Sequence, residues 1–254
     1  MTTKEFHDNL SKYADPKEYD EIYKGYTADL QFIEAYLAEN PQPIIELACG
    51  TGRLAIPFAK QGHTVYGVDI DSGMLSYAQE KANAEGLNMY LSVQDCTRLN
   101  LPIKSNFIYM TGNSFQHFLS NESQDALFES VVKHLNPSGD FIFDTRNPIL
   151  SELLNVEVYE ETIEKNGETL KVINQEIYNP LTQILTCTST YKSSNSEYED
   201  CIRLRYTYPL ELHRLLSQHG FEVVRLYGSW DKQPFAEDSV SMVVHARLKG
   251  NLNL

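Results

Sequence analysis

The stretch Ile44–Arg53, which reads IIELACGTGR, decides the fold of this chain. A short apolar run carries an acid, and two glycines separated by one residue precede an amphipathic segment at 54–60. This order predicts a buried strand, a tight turn and the start of a helix. Glycine accepts positive φ and lets a ligand lie against the main chain, and a helix start offers unpaired N–H groups. The stretch therefore predicts a cradle for a small molecule.

Length, composition and charge limit the class of protein. The 254 residues suffice for one α/β domain with an insertion, and 42% hydrophobic with 22% charged residues is typical of a folded chain. The net charge of −14, without a Lys/Arg-rich run, argues against a nucleic-acid partner. No segment approaches the ~18 apolar residues of a membrane span, and the polar start at 1–10 carries no signal core. We therefore expect a cytoplasmic protein.

The four cysteines show no C-x-x-C motif and no histidine spacing typical of zinc, so we expect no metal site. Reduced thiols at Cys49, Cys96, Cys187 and Cys201 are the main expectation. A disulfide between Cys187 and Cys201, facing each other in a hairpin, is the alternative.

From Ile44 onward, strands alternate with helices. This alternation predicts an α/β fold with a doubly wound, mostly parallel sheet covered on both faces. Ligands of such sheets bind outside the carboxyl ends of the strands, where the strand order reverses. The predicted strands are 44–48, 63–69, 88–94, 106–111 and 140–145, and the predicted helices are 53–61, 73–84 and 123–135.

The pattern changes after Asn147-Pro148. Strand-like stretches at 156–164, 169–178, 183–192 and 198–207 predict an antiparallel β insertion after the fifth strand, with Asn166-Gly167 as a hairpin signal. A helix at 210–219 and strands at 221–230 and 240–248 then complete a seven-stranded main sheet.

The first 26 residues are polar and rich in tyrosine, and a helical face begins only at Asp29. A mobile segment of this kind can close over a cradle and exclude water. We therefore predict three parts: a tyrosine-rich lid and helix at 1–42, a ligand-binding core at 43–150 and 208–254, and the β insertion at 151–207.

Acids at three strand ends identify the ligand class. The glycines alone also fit the dinucleotide fingerprint G-x-G-x-x-A. Glu46, however, lies inside a buried strand and needs a cation or donors, such as the ammonium of S-adenosylmethionine. Asp69 ends the next strand, where an acid can accept hydrogen bonds from ribose hydroxyls. Asp95 closes the third, where an acid can take an adenine amino group.

These motifs resemble class I S-adenosylmethionine-dependent methyltransferases. The resemblance rests on 46–52 (ELACGTG), 68–75 (VDIDSGML) and 93–96 (VQDC), and on the closing strand pair after Gly220. The tyrosine-rich start and the β insertion resemble the small-molecule branch with sugar N,N-dimethyltransferases and glycine N-methyltransferase-like enzymes. The insertion would then shape the pocket for the methyl acceptor, and its exposed edge permits a homodimer.

The resemblance implies a role for each motif residue. Glu46 and the backbone of Ala48, Gly50 and Gly52 would hold the methionyl end, and Asp69 the ribose. The adenine would contact Ile70, Met74, Asp95 and Cys96. Thr111 and Asn113 would run under the sulfonium. Apart from the resemblance, Tyr19 and Tyr23 of the lid are candidates to cover the methyl donor, and surface packing is their alternative.

Methyl transfer needs an in-line arrangement of donor and acceptor, and a base only if the acceptor arrives protonated. His117, in the loop after the fourth strand, is the best-placed base. Its alternative is a histidine packed on a helix start. We group His117 with Tyr19 and Asn113 as candidate catalytic residues.

The sequence thus predicts methylation of a small molecule at N or O, with S-adenosylhomocysteine as product and without a metal, nucleic acid or membrane partner. An NAD(P)-dependent oxidoreductase is the second hypothesis, which the buried acid Glu46 disfavours. A non-catalytic nucleotide-binding or scaffold protein is the third.

Overall fold

The structure is a computed structural model that describes residues 9–39, 43–153, 156–165, 167–193 and 196–250. The strands are β1 (Ile44–Leu47), β2 (Val65–Asp69), β3 (Tyr90–Val93), β4 (Ser105–Met110), β5 (Leu135–Arg146), β6 (Glu157–Lys165), β7 (Glu168–Asn179), β8 (Ile184–Lys192), β9 (Glu197–Arg205), β10 (Phe221–Tyr227) and β11 (Ser241–Leu248). The helices are α1 (Pro16–Tyr23), α2 (Ala28–Glu39), α3 (Ala55–Lys60), α4 (Ser72–Ala84), α5 (Asn121–His134), α6 (Leu150–Leu153) and α7 (Pro209–Gln218).

The main sheet has seven strands in the order β10-β11-β5-β4-β1-β2-β3. All pairs among strands β1 to β5 are parallel, whereas β11 runs antiparallel to both β5 and β10. The predicted doubly wound, mostly parallel sheet is therefore confirmed. The strand order reverses between β1 and β4, so the carboxyl ends of these two strands mark the expected ligand site.

Each face of the main sheet packs its own apolar cluster. Phe141 and Phe143 belong to one cluster with residues of α5 and α7, and Ile142 belongs to the other with residues of α2 and α3. The alternation follows from the two-residue period of a strand. Because both faces are covered, β1 is buried along its whole length.

The predicted insertion forms a separate antiparallel sheet in the order β6-β7-β8-β9. Cys187 pairs with Ile202 and Cys201 pairs with Thr188, so the two cysteines point to opposite faces of this sheet. The alternative of a disulfide between them is therefore wrong, and all four thiols are free. Asn166, the first residue of the predicted hairpin signal, lies outside the described residues.

Two local predictions need correction. Helix α1 lies in the segment that shows no strong periodicity, and Asp15 caps it by accepting hydrogen bonds from the N–H groups of Lys17 and Glu18. The pair Asp15-Pro16 is a typical helix start, and this pattern in the sequence could have predicted α1. Strand β5 begins at Leu135 rather than at residue 140, directly after α5. No helix within the described ranges is long and apolar enough to cross a membrane.

Candidate active site

The carboxyl ends of the central strands border a cavity of about 530 Å³. The turn after β1, the ends of β2 and β5 and the loops after β3 and β4 contribute to its wall, and the N-terminal segment covers it with Leu10, Tyr13, Tyr19, Ile22, Tyr23 and Tyr26. The cavity thus lies where the strand order predicts a ligand.

The glycine turn after β1 borders the cavity through Ala48 and Gly50. Gly50 and Gly52 have φ of 53° and 75°, which favours glycine at both positions. A Cβ on Gly50 would lie 3.4 Å from the methyl group of Met74, and one on Gly52 would lie 3.3 Å from Ile56. Ala48 also has a positive φ, of 53°, which is unusual for a residue with a Cβ.

Asp69 is held by backbone donors at the end of β2. One carboxylate oxygen accepts the Gly50 N–H at 2.7 Å, and the other accepts the Asp71 N–H at 2.8 Å. Burial nevertheless raises the pKa of Asp69 above its usual value. Asp71, in turn, caps α4 through the N–H groups of Gly73 and Met74. The turn, the acid and the helix start are therefore one hydrogen-bonded unit.

Glu46 lies inside β1 and is 3% exposed. The hydroxyl of Tyr109, its neighbour on β4, donates a hydrogen bond of 2.8 Å to the Glu46 carboxylate. Burial raises the pKa of Glu46 to about 8. A single neutral donor does not compensate a buried carboxylate fully, so this side chain still favours a cation or a proton.

The loop after β3 brings a further acid to the cavity. Asp95 caps a short 3-10 turn by accepting the N–H and the hydroxyl of Thr97 at 2.8 and 2.7 Å. Cys96 follows it in the wall of the cavity, and burial raises the pKa of its thiol to about 12. This thiol is therefore a packing group rather than a nucleophile.

Asp144, near the end of β5, is 4% exposed and borders the opposite side of the cavity. It accepts the Asn113 N–H at 2.9 Å and the Trp230 indole N–H at 3.1 Å. Burial raises the pKa of Asp144 to about 6 in spite of these two donors. Its partner Trp230 comes from the loop after β10.

Within the described part of the chain, Arg53 is the one cation that lines the cavity. Its guanidinium forms a bidentate ion pair with the fully buried Asp29 of α2 and donates a further hydrogen bond to the Tyr26 carbonyl at 3.0 Å. Asp29 therefore neutralises Arg53. The cavity retains the charge of Asp69, Asp71, Asp95 and Asp144 and attracts cations.

The N-terminal segment is anchored over the cavity by polar contacts. Asp20 of α1 accepts a hydrogen bond of 2.5 Å from the Thr51 hydroxyl in the glycine turn, and its other oxygen pairs with Lys81 of α4. The ring of Tyr19 lies 6.1 Å from that of Tyr13 and 4.6 Å from that of Tyr23. These rings form an aromatic part of the cavity wall.

His117 lies in a 3-10 turn at Ser114–His117, where its ring contacts two residues of the N-terminal segment. Asn9 Nδ2 is 2.7 Å from His117 Nδ1, and the Tyr13 hydroxyl is 3.1 Å from Nε2. Burial lowers the pKa of His117 to about 4. The ring is therefore neutral at physiological pH, and its predicted role as a base stays a prediction.

Most of the predicted site residues meet in this cavity. Glu46, Gly52 and Thr111 are not part of its wall: Glu46 and Thr111 are buried next to it, and Gly52 packs on Ile56 and Ala78. The predicted residues in the wall are Tyr19, Tyr23, Ala48, Gly50, Asp69, Ile70, Met74, Asp95, Cys96, Asn113 and His117.

In the described part of the chain, no group of three or more His, Cys, Asp or Glu side chains is arranged to hold a metal ion.

Sequence comparison relates this chain to methyltransferases. Residues 44–139 match a family model described as Methyltransferase domain. The chain is 30% identical over 132 residues to "Putative methyltransferase YqeM" of Bacillus subtilis (strain 168), which covers 51% of this chain and 53% of that protein. The chain spans about half the length of the first curated relatives that it matches.

Solved structures share the whole architecture. An S-adenosylmethionine-dependent methyltransferase from Clostridium acetobutylicum ATCC 824 superposes with a TM-score of 0.79 at 19% identity, covering 92% of this chain and 99% of that one. CalS10, a SAM-bound amino pentose methyltransferase from Micromonospora echinaspora, gives 0.70 at 14% identity, covering 92% and 97%. Identities this low establish the fold alone. The family model and the curated relative thus relate this chain to methyltransferases, and the solved structures share its fold.

Proposed function

We propose that this protein transfers a methyl group from S-adenosylmethionine to a small-molecule acceptor. The observation that carries the proposal is that Gly50, Asp69 and Asp95 meet in one cavity of about 530 Å³. Backbone N–H groups fix Asp69 there, and Gly50 of the glycine turn is part of the cavity wall.

The residues present fit S-adenosylmethionine, which supplies an electrophilic methyl group on a cationic sulfur. Asp69 would accept hydrogen bonds from the ribose hydroxyls, and Asp95 would accept one from the adenine amino group. Ile70 and Met74 offer apolar contacts to a ring. Glu46, beneath the turn, would stabilise the ammonium through its charge. An excess of carboxylates in a low-dielectric cavity favours such a cationic ligand over an anionic dinucleotide.

We propose an amine nitrogen, rather than a hydroxyl oxygen, as the methyl acceptor. Asp144 is a buried carboxylate on the side of the cavity formed by Asn113 and Ser114, and no basic side chain among the described residues forms an ion pair with it. The carboxylate therefore attracts the protonated form of an amine, which must release its proton to that carboxylate or to solvent before its lone pair attacks the methyl group. CalS10, which shares the fold, is described as an amino pentose methyltransferase. The chain's main contribution to rate is orientation, which can supply roughly 7–11 kcal/mol.

The remaining partner assignments belong to the same proposal. The net charge of −14 favours a small molecule over a nucleic acid as acceptor. Strand β6 pairs only with β7 among the described strands, so its free edge permits a homodimer. We propose a cytoplasmic location, as the sequence predicts.

Ligand-dependent thermal unfolding tests the proposal. S-adenosylhomocysteine at ~100 times its Kd should stabilise the full chain by about 2.7 kcal/mol, and NADH should not. Stabilisation by NADH alone would favour the oxidoreductase hypothesis and overturn ours. Amines and their hydroxyl isosteres, incubated with S-adenosylmethionine, then identify the acceptor by the mass of the product. Binding without any methylated product from either series would favour the scaffold hypothesis.

A further inference from the structure

The orientation of the Asn9 side-chain amide is fixed by strand β9. Asn9 Oδ1 accepts the Arg203 N–H at 2.6 Å, and Asn9 Nδ2 donates to the Arg203 carbonyl at 2.9 Å. In a flipped amide, the NH₂ group would face the Arg203 N–H and the amide oxygen would face the Arg203 carbonyl, so neither hydrogen bond could form. The amide nitrogen carries two hydrogens, and the second one faces His117 Nδ1 at 2.7 Å.

This contact determines the tautomer of His117. A neutral imidazole has one donor and one acceptor nitrogen, and a ring nitrogen that faces an N–H group must accept. Nδ1 is therefore unprotonated, and the ring proton is on Nε2. Nε2 in turn donates to the Tyr13 oxygen at 3.1 Å.

Tyr13 is consequently an acceptor toward His117, and its own hydrogen is free for another partner. Its ring is part of the cavity wall, and its hydroxyl has no other hydrogen-bond partner within the described ranges. Burial raises the pKa of Tyr13 above its usual value, so the hydroxyl keeps its hydrogen.

We infer that Asn9 is a positioning residue that holds His117 as the Nε2–H tautomer, so that Tyr13 offers its hydrogen to an oxygen of the methyl acceptor. The identity of that ligand rests on the proposed function. The partner atom is an oxygen and not the reacting nitrogen, because a lone pair that accepts a hydrogen bond is less available to the methyl group. His117 then orients Tyr13 and does not remove a proton.

The surroundings of His117 agree with this role. Two strands pack against its turn, and their charged residues are Asp140, Asp144 and Arg146 on β5 and Glu197, Glu199, Asp200, Arg203 and Arg205 on β9. Among the described residues, Tyr13 is the titratable group in hydrogen-bond contact with the ring. Protonation of Nδ1 would place two N–H groups against each other, which opposes the imidazolium form.

Two-bond ¹⁵N–¹H spectra of the full chain test the inference, because they identify the protonated ring nitrogen of each histidine. We expect His117 to carry its proton on Nε2 and to stay neutral from pH 6 to pH 9, with the exposed His213 as internal reference. Asn9→Asp replaces the donor with an acceptor and should move the proton to Nδ1. Asn83→Asp, the same change at the exposed end of α4, should leave His117 unaltered.

An Nδ1–H tautomer in the unmodified protein, or an unchanged His117 in a folded Asn9→Asp variant, overturns the inference. The first result does not depend on whether the variant folds. Neither depends on the cofactor, so failure of S-adenosylhomocysteine to bind would overturn the proposed function separately. Once an acceptor is known, turnover tests the positioning role. His117→Gln keeps a donor near the Nε2 position, so its turnover should stay close to that of the wild type. His117→Ala removes the donor, and its turnover should be about tenfold lower. Equal losses in both variants contradict the positioning role.

Discussion

The backbone N–H of Gly50 donates a hydrogen bond of 2.7 Å to the carboxylate of Asp69, which ends the neighbouring strand. The acid that would bind the ribose therefore also fixes the shape of the glycine turn. Its second oxygen accepts the Asp71 N–H at 2.8 Å, which ties both to the start of α4. A change at Asp69 thus alters the ligand contact and the turn together.

Replacement of Asp69 should weaken cofactor binding more than it weakens the fold. Asp69→Ala removes the predicted ribose contact and leaves the Gly50 N–H without its partner. We expect the affinity for S-adenosylhomocysteine, measured by calorimetry, to fall by about 10- to 100-fold, since a hydrogen bond to a charged group contributes ~1.5–3 kcal/mol. Asp238→Ala, in an exposed loop, is the control. Unchanged affinity in Asp69→Ala would remove the ribose assignment.

Glu46 should make stability fall as pH rises. The pKa of Glu46 is about 8 in the folded chain, above its ordinary value. Its contribution to the free energy of unfolding is therefore full below the pKa that Glu46 has in the unfolded chain, and it is lost as pH rises through 8. Glu46→Gln cannot ionise, so the variant should equal the wild type near pH 5 and exceed it at pH 9. The gain is at most roughly 4 kcal/mol.

Urea unfolding at the two pH values measures this difference. Asp144, whose pKa is also raised, is present in both proteins and therefore cancels. A wild type that is as stable as Glu46→Gln at pH 9 would show that the Glu46 carboxylate is better solvated than its burial indicates.

The charge of Asp144 should make the preference for a cationic ligand depend on pH. Its pKa is about 6, so the carboxylate forms as pH rises from 5 to 7. Over this range, the affinity for S-adenosylmethionine relative to S-adenosylhomocysteine should increase by about fivefold, or ~1 kcal/mol. The ratio of the two dissociation constants isolates the sulfonium charge, because the other groups are shared.

Asp144→Asn should abolish the rise in that ratio between pH 5 and pH 7. The amide keeps an oxygen for one of the two donors, Asn113 N–H and Trp230 Nε1–H, and removes the charge. A ratio that still rises in Asp144→Asn would assign the effect to another group.

Release of helix α1 should speed the dissociation of the cofactor. Asp20→Ala removes the contacts to Thr51 and Lys81 that anchor α1 over the cavity. We expect the dissociation rate of S-adenosylmethionine in stopped-flow measurements to rise several-fold, while the free energy of unfolding changes by about 1 kcal/mol or less. Glu21→Ala, on the same helix, removes an exposed pair with Lys24, the residue that follows the helix, and should change neither quantity. Equal rates in all three proteins would show that α1 is not a lid.

The order of strands and helices could be predicted because each signal is local. An apolar run, a glycine turn and a helix cap lie within a few residues, so the sequence predicts the parallel core, the insertion and the acids at three strand ends. The missed helix α1 also had a local signal, the Asp15-Pro16 start, which lies in a segment without an apolar stripe.

Contacts between distant segments could not be predicted in this way. Asn9 reaches Arg203 and His117, Asp29 neutralises Arg53, and Trp230 donates to Asp144, in each case across long stretches of chain. No periodicity or spacing encodes these pairs, because they depend on how separately formed elements pack.

The sequence by itself determined the class of fold and the acids that a cationic nucleoside would meet, since both follow from short-range patterning and the geometry of parallel strands. Only the tertiary structure decided the charge balance of the cavity and the hydrogen-bond direction at His117. Burial sets the protonation of Glu46 and Asp144, and a donor from the far end of the chain sets the tautomer. Both are properties of the packed environment and not of the residues alone.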